Sequence, residues 1–319
     1  MKIAIVIYNL GGPCCMRAVR PFLYNLFYDP AIINLPKPLR FLLAKLISYR
    51  RTPKASAIYA QMGGQSPILQ ETYKQALALE EALGNGYKVF TYMRYTYPRI
   101  NDVLDNIKLH NPDKIVLLPL YPQYSTTTTK SSIREWEAET KRQDINFETY
   151  SILSYETNDK FIKAYAQLLA GSYKQASKLG KPIILFSAHG IPLNRIESGD
   201  PYEKHVTASV DRIIKETALS KVEYEVCYQS KVGPLKWLAP TTNALIEKYS
   251  KENRVIIVLP VSFVSEHSET LVELDIQYKD LAKKHGAKAY FRVPTIGTHP
   301  LFIECLKDLI NKSLGTDAA

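Results

Sequence analysis

The sequence predicts an α/β protein of two similar doubly wound parallel-sheet lobes with a cleft between them. Short apolar runs alternate with longer amphipathic stretches along the 319 residues. That alternation is the mark of parallel strands covered on both faces by crossover helices. The two halves also echo each other. Leu10-Gly11-Gly12-Pro13 closes the first run of one half, and His189-Gly190-Ile191-Pro192 closes the first run of the other. Leu117-Leu118-Pro119-Leu120 is matched in the same way by Val258-Leu259-Pro260-Val261. The expected division is a lobe over residues 1–155 and a second over 156–298, with a C-terminal helix, 299–319, packing back on the first.

Each element follows from local chemistry. Lys2 to Tyr8 reads as a strand and Ala18 to Tyr28 as a helix. Pro36 and Pro38 precede a helix from Leu39 to Tyr49 with an apolar face of Leu39, Leu42, Leu43, Leu46 and Ile47. Ser66 is placed to cap a helix running from Pro67 to Leu83. Strand Tyr87–Met93, helix Ile100–Leu109, strand Lys114–Tyr121, helix Ser131–Arg142 and strand Asn146–Leu153 complete the first half. The second half opens with a helix over Asp159–Leu179 and a strand ending at His189. Helix Tyr202–Thr217, strand Val222–Tyr228, helix Leu235–Tyr249 and strand Arg254–Val264 come next. Helix His267–Lys284, strand Ala287–Val293 and helix His299–Leu314 end the chain.

Composition narrows the function classes. Hydrophobic residues make up 46% of the chain, enough for a sizeable core, and no apolar run reaches the length of a membrane span. A strand begins almost at Met1, so no presequence and a cytoplasmic location, with room for peripheral contact with the inner membrane, are expected. Cys14, Cys15, Cys227 and Cys305 lack metal-ligand spacing and read as reduced thiols. The formal charge of +10 carries no basic block or motif of a nucleic-acid binder. Instead Arg40, Lys45, Arg50, Arg51 and Lys54 alternate with apolar residues, a mixture suited to an anionic amphiphile or a membrane surface.

The chemistry-bearing residues lie at two strand ends. Ile184-Leu185-Phe186-Ser187-Ala188 is an apolar or small run ending on His189, where an open α/β sheet keeps its ligands. Val255 to Val264 leads in the same way to Ser265-Glu266-His267-Ser268-Glu269-Thr270. His189, His267 and Glu269 would then supply nitrogen and oxygen donors to one place. Glu273 and Asp275 extend the acidic run, as a solvated face or as a path for cations or protons. Leu10-Gly11-Gly12-Pro13 lacks a phosphate-cradle motif, and its proline removes a donor. It reads as a tight turn that lets a flat ligand approach the backbone. Ser187 and Ser125 lie outside G-x-S-x-G, which disfavours a hydrolase.

Together these motifs resemble the ferrochelatase family. The likeness rests on Leu10-Gly11-Gly12-Pro13, Arg20 to Phe27, Arg51-Thr52-Pro53-Lys54, Gly63-Gly64-Gln65-Ser66-Pro67 and Met93-Arg94-Tyr95. It continues through Leu118 to Ser125, Ser187 to Pro192, Gly199-Asp200-Pro201-Tyr202, Tyr228 to Pro234 and Ser265 to Leu271. The resemblance implies two Rossmann-like lobes and a lyase that inserts Fe²⁺ into protoporphyrin IX, releasing two protons, in haem biosynthesis. It implies His189 and Glu269 as the iron pair and His267 as a second active-site histidine. Arg51, Tyr59 and Ser66 would hold the porphyrin, with Leu10, Arg94 and Tyr95 in its binding site. The helix Leu39 to Ile47 would be a lip through which porphyrin enters, laid against a membrane.

The sequence departs from the family where Gln65, Thr96 and Lys130 stand in place of glycines. Iron is a substrate in this reading. No cysteine-rich extension precedes the end at Ala319, so no iron–sulfur cluster is expected. Leu10 stands where members acting on coproporphyrin carry tyrosine, which points to protoporphyrin. A cobalt or nickel chelatase, a coproporphyrin enzyme and a non-enzymatic porphyrin or haem carrier remain the alternatives. Whether His189 takes a pyrrole proton or binds Fe²⁺ first is open at this level.

Overall fold

The computed structural model describes residues 1–219 and 222–316, in two compact units: Met1–Ser154 with the chain from Ile303 onward, and Tyr155–Phe302. Residues 317–319 of the expected C-terminal helix lie outside the described residues.

The first unit contains β1 (Ile3–Asn9), α1 (Val19–Tyr28), α2 (Lys37–Ala60), α3 (Ile68–Leu83), β2 (Tyr87–Met93), α4 (Ile100–His110), β3 (Lys114–Pro119), α5 (Thr129–Arg142) and β4 (Glu148–Ser151). Its sheet is parallel with order β2-β1-β3-β4, so Ile5 lies opposite Val89 on one side and Val116 on the other. All seven residues of β1 are buried, as a central parallel strand requires. Ala4, Val6, Tyr8, Ile115 and Leu117 pack with α4 and Trp136 in one core. A second core joins α1 to α2 through Val19, Phe22, Phe27, Ala44 and Tyr59. Each of the buried valines, leucines, isoleucines and phenylalanines contributes about 1.5–3 kcal/mol relative to exposure.

The second unit contains α6 (Asp159–Ala176), β5 (Pro182–His189), α7 (Leu193–Glu197), α8 (Tyr202–Thr217), β6 (Glu223–Gln229), α9 (Thr242–Lys251), β7 (Val255–Pro260), a π-helix (Glu269–Tyr278), α10 (Lys279–Lys284) and β8 (Ala289–Arg292). The sheet order β6-β5-β7-β8 repeats that of the first unit, again all parallel. The last helix, α11 (Pro300–Leu314), starts in this unit, and its residues from Ile303 onward belong to the first. There the Lys307 ammonium donates to the Ala82 carbonyl at 2.7 Å.

Several boundaries differ from the sequence reading, each for an identifiable reason. The helix expected over Leu39–Tyr49 runs on to Ala60, past Pro53. The Thr52 hydroxyl donates to the Ser48 carbonyl at 2.6 Å, and Tyr49, four residues before the proline, is exposed to water. The helix expected from Leu235 begins only at Thr242. Pro240 interrupts the stretch, and Thr241 caps the shorter helix by accepting from the Ala244 amide. Ser66 does not cap α3 directly; Pro67 is the cap residue, and the Ser66 hydroxyl accepts from the Ile68 amide at 3.4 Å. The strand expected to reach Val264 stops at Pro260. The helix expected from His267 is a π-helix for its first ten residues, Glu269–Tyr278, a form with no signature in periodicity.

Candidate active site

His189 is the last residue of β5 and the only one of that strand not fully buried. The chain leaves β5 for β6 on one side and later returns to β7 on the other, so His189 stands at the carboxyl edge of a topological switch point. The loop after β7 carries His267, and the π-helix begins with Glu269. Two crossovers therefore bring positions 80 apart into contact: His189 Nδ1 lies 2.8 Å from Glu269 Oε2. His267 Nε2 lies 3.8 Å from the same oxygen, while its Nδ1 faces the Ser265 carbonyl at 3.1 Å. The structure thus places the three predicted residues together, two imidazoles on one carboxylate.

The electrostatics follow from that contact. Burial pulls the His189 pKa down, but the charge of Glu269, its hydrogen bond and the charge of Glu273 outweigh burial and raise it above 6.5. Burial would raise Glu269, yet His189 and His267 outweigh it and hold the carboxyl far below its usual range. An ionised Glu269 makes His189 Nδ1 the protonated nitrogen and leaves Nε2 as the basic position of the neutral ring. The side chains are 37% and 24% exposed, so the pair is reachable. Trp237 and Phe263 stand edge-on to His189 at 6.5 and 6.4 Å between ring centres. Imidazole with carboxylate suits a borderline divalent ion such as Fe²⁺. Among the described residues no group of three or more His, Cys, Asp and Glu side chains is arranged to hold a metal ion.

Sequence reasoning missed the support beneath the pair. Gln229 ends β6 and donates from Nε2 to the Glu269 carbonyl and to Glu273 Oε2, both at 3.1 Å. Glu273 also accepts from the Ser230 amide at 3.0 Å and the Tyr278 hydroxyl at 2.8 Å. Glu273 is therefore not a solvated face; it ties the first turns of the π-helix to the end of β6. The Ser187 hydroxyl donates to Gln229 Oε1 at 2.7 Å inside the core, which removes it as a nucleophile. The available signal was the polar Gln229-Ser230 pair directly after an apolar run.

The remaining predicted residues lie in the first unit. Arg51 is half-buried on α2 with its guanidinium over the Phe27 ring at 5.5 Å. No carboxylate among the described residues pairs with it, and burial lowers its pKa. Tyr59, on the same helix, is buried in the α1–α2 core, with Leu10 packed at its edge. Arg40, expected in a surface basic cluster, is instead buried, donating to the Leu35 carbonyl at 2.9 Å and lying over Tyr28.

Arg94 and Tyr95 are held in an internal polar cluster around Asp29. Arg94 pairs with Asp29 at 2.8 Å and Glu135 at 2.9 Å and donates to Ser131, so its guanidinium is already occupied. Tyr95 is 1% exposed, and its hydroxyl donates to Asp29 at 2.7 Å. A buried cation needs such partners to offset desolvation, and the pair acts as a scaffold for the turn after β1. The Tyr95 amide holds the Leu10 carbonyl at 3.1 Å.

On the side where a Cβ would project, the protein itself stands against this turn. A Cβ on Gly11, at φ +84°, would overlap Thr96 Oγ1, and one on Gly12 would meet Ser66 Cβ at 2.6 Å. What approaches the glycine backbone is the protein's own Thr96 and Ser66. Gly12→Ala is expected to cost about 1–3 kcal/mol by overpacking, read as a lowered thermal midpoint.

Comparison with known proteins bears on the whole chain. The family model for ferrochelatase matches residues 2–314. A protein named ferrochelatase from Wolbachia sp. subsp. Drosophila simulans is 51% identical over 313 residues, covering 97% of this chain and 98% of its own. Ferrochelatase of Pelagibacter ubique is 46% identical, covering 98% and 91%. Among solved structures, SirB from Bacillus subtilis with Fe³⁺ has a TM-score of 0.55 at 13% identity, over 98% of this chain and 96% of that one. CbiX, described as the terminal enzyme of sirohaem biosynthesis in denitrifying bacteria, has a TM-score of 0.51 at 14% identity, over 98% and 99%. At such identities these two share the fold.

Proposed function

We propose, since this chain belongs to the ferrochelatase family, that His189 and Glu269 form the iron-facing catalytic pair of its second unit. The enzyme is a lyase of haem biosynthesis that inserts iron into porphyrin. The observation that carries the assignment is the 2.8 Å contact between His189 Nδ1 and Glu269 Oε2 at the carboxyl edge of the sheet. Iron must enter one face of the macrocycle while two pyrrole protons leave. Either His189 Nε2 takes up one of these protons and Glu269 holds the imidazolium that forms, or Nε2 would bind Fe²⁺ as a neutral ring whose Nδ1–H Glu269 orients. His267 shares the carboxylate, with its Nε2 at 3.8 Å. A hold without thiolates suits an ion that must be passed on.

In the same reading Arg51 anchors a porphyrin propionate, since a half-buried guanidinium without a carboxylate is ready for one, and its fork matches that group. Ser66, Tyr59 and Leu10 shape this region, and Arg94 and Tyr95 support it. Arg51→Leu is expected to raise the porphyrin KM about 10–100-fold, the loss of a charged hydrogen bond. The iron KM should stay unchanged; a shift in both would argue against the anchor.

Protoporphyrin IX is the proposed substrate, and the chain works without an iron–sulfur cluster. Cys14 and Cys15 are exposed neighbours, while Cys227 and Cys305 are buried. No helix among the described residues is long and apolar enough to cross a membrane. Leu39, Leu42 and Leu46 are nevertheless 56%, 62% and 46% exposed on α2, which supports a peripheral contact with the inner membrane by a cytoplasmic protein. Nucleic acid is no partner in this reading. Anaerobic incubation with Fe²⁺ and protoporphyrin IX, following loss of porphyrin fluorescence, tests the function. Binding without turnover would indicate a carrier instead.

A further inference from the structure

Glu266 and Asp275 flank the segment that carries His267 and Glu269, and the sequence leaves them as part of an acidic run. In the folded chain both are committed to one cation. Arg292, the last residue of β8, reaches Glu266 Oε1 with Nη1 at 2.7 Å. Its Nε and Nη2 meet Asp275 Oδ1 and Oδ2 at 2.7 and 2.8 Å. The Arg292 side chain is only 12% exposed. The Thr295 amide adds a second donor to Glu266 Oε1 at 3.1 Å. Asp275 is thus not a solvated face, nor is Glu266 part of the histidine cluster.

We infer that Arg292 is a positioning residue for iron insertion, bracing the loop before His267 and the π-helix after Glu269 against the end of β8. Glu266 directly precedes His267, and Asp275 lies six positions after Glu269. One rigid guanidinium therefore ties down both flanks of the pair-forming segment. A π-helix is an unfavourable form on its own and persists where tertiary contacts impose it. A bidentate fork fixes orientation as well as charge, which an ammonium does not. No distance brings Arg292 to Glu269, His189 or His267; it acts through the segment's geometry. If the brace loosens, the Glu269 carboxylate is no longer held at His189, and iron handling suffers before porphyrin binding does.

The inference rests on reading His189 and Glu269 as the iron-facing pair, and the test separates the two. Arg292→Lys keeps the charge and removes the fork. Steady-state kinetics with anaerobic Fe²⁺ and protoporphyrin should show kcat/KM for iron falling about tenfold with porphyrin KM unchanged. Asp275→Asn, which breaks the π-helix arm alone, should show the same split. Ile213→Val, a core deletion on α8 outside the cluster that packs on the π-helix, should lower the thermal midpoint and leave both KM values alone. Wild-type iron kinetics in Arg292→Lys, with His189→Ala inactive, would overturn the positioning role and leave the iron-site reading standing. Parallel changes in both KM values that track lost thermal stability would overturn it too. Full activity of His189→Ala would remove the iron-site reading and this inference with it.

Discussion

Replacing His189 with alanine is expected to cut iron insertion by a factor of about 10²–10⁴, the usual contribution of a positioned proton acceptor. The variant keeps the fold, because His189 ends its strand and leaves the core there. Porphyrin affinity, measured by quenching of intrinsic fluorescence, should stay near that of the native chain. Metalloporphyrin absorbance under anaerobic conditions reads the rate. Full activity would show that the proton and the metal are handled elsewhere.

The second large effect is expected from Glu269→Gln. The amide keeps the shape and loses the charge that both histidines share. Loss of a carboxylate that orients a ligating imidazole costs about 10–100-fold in metal affinity or activity. The pH dependence makes this diagnostic. In the native chain the His189 pKa lies above 6.5, so the neutral ring is gained, and activity rises, through a pH above that value. Without Glu269 the opposing effect of burial remains, and the acid limb should move to lower pH. A limb that stays in place would mean that another group controls it.

The same contact bears on stability. The His189 pKa is raised on folding, so its contribution is complete below 6.5 and is lost as pH rises through the raised value. The Glu269 pKa is depressed, so its contribution is complete above 4.5 and is lost as pH falls through the depressed value. Both are present in full between 4.5 and 6.5, the window in which the pair should stabilise the second unit most. Thermal midpoints of native and Glu269→Gln protein should differ most there.

Much of the fold is readable along the chain. Tyr87–Met93 and Tyr202–Thr217 stand at the expected residues, because apolar runs and helical periodicity are local properties of neighbours. Boundaries differ where one local signal stands against context. Pro53 has the local character of a stop, yet α2 continues past it, with Tyr49 four residues earlier exposed and the Thr52 hydroxyl bonded to the Ser48 carbonyl. The π-helix has no local signal, since its contacts with Gln229 and Ser230 come from another strand. Arg94 and Tyr95 read as available because Asp29, their partner, lies more than sixty positions away.

Residue order by itself determined the alternation of strands and helices, the burial of β1, β5 and β7, and the placing of His189 and Glu269 at strand and helix edges. Those arise from hydrophobicity and backbone geometry over a few residues. Only the tertiary structure decided that the imidazole and the carboxylate touch, which tyrosines and arginines are spent on the scaffold, and which acids are already neutralised. Hydrogen bonds and ion pairs between distant positions depend on where crossovers return the chain, and one strand's sequence holds no information about its neighbour's side chains.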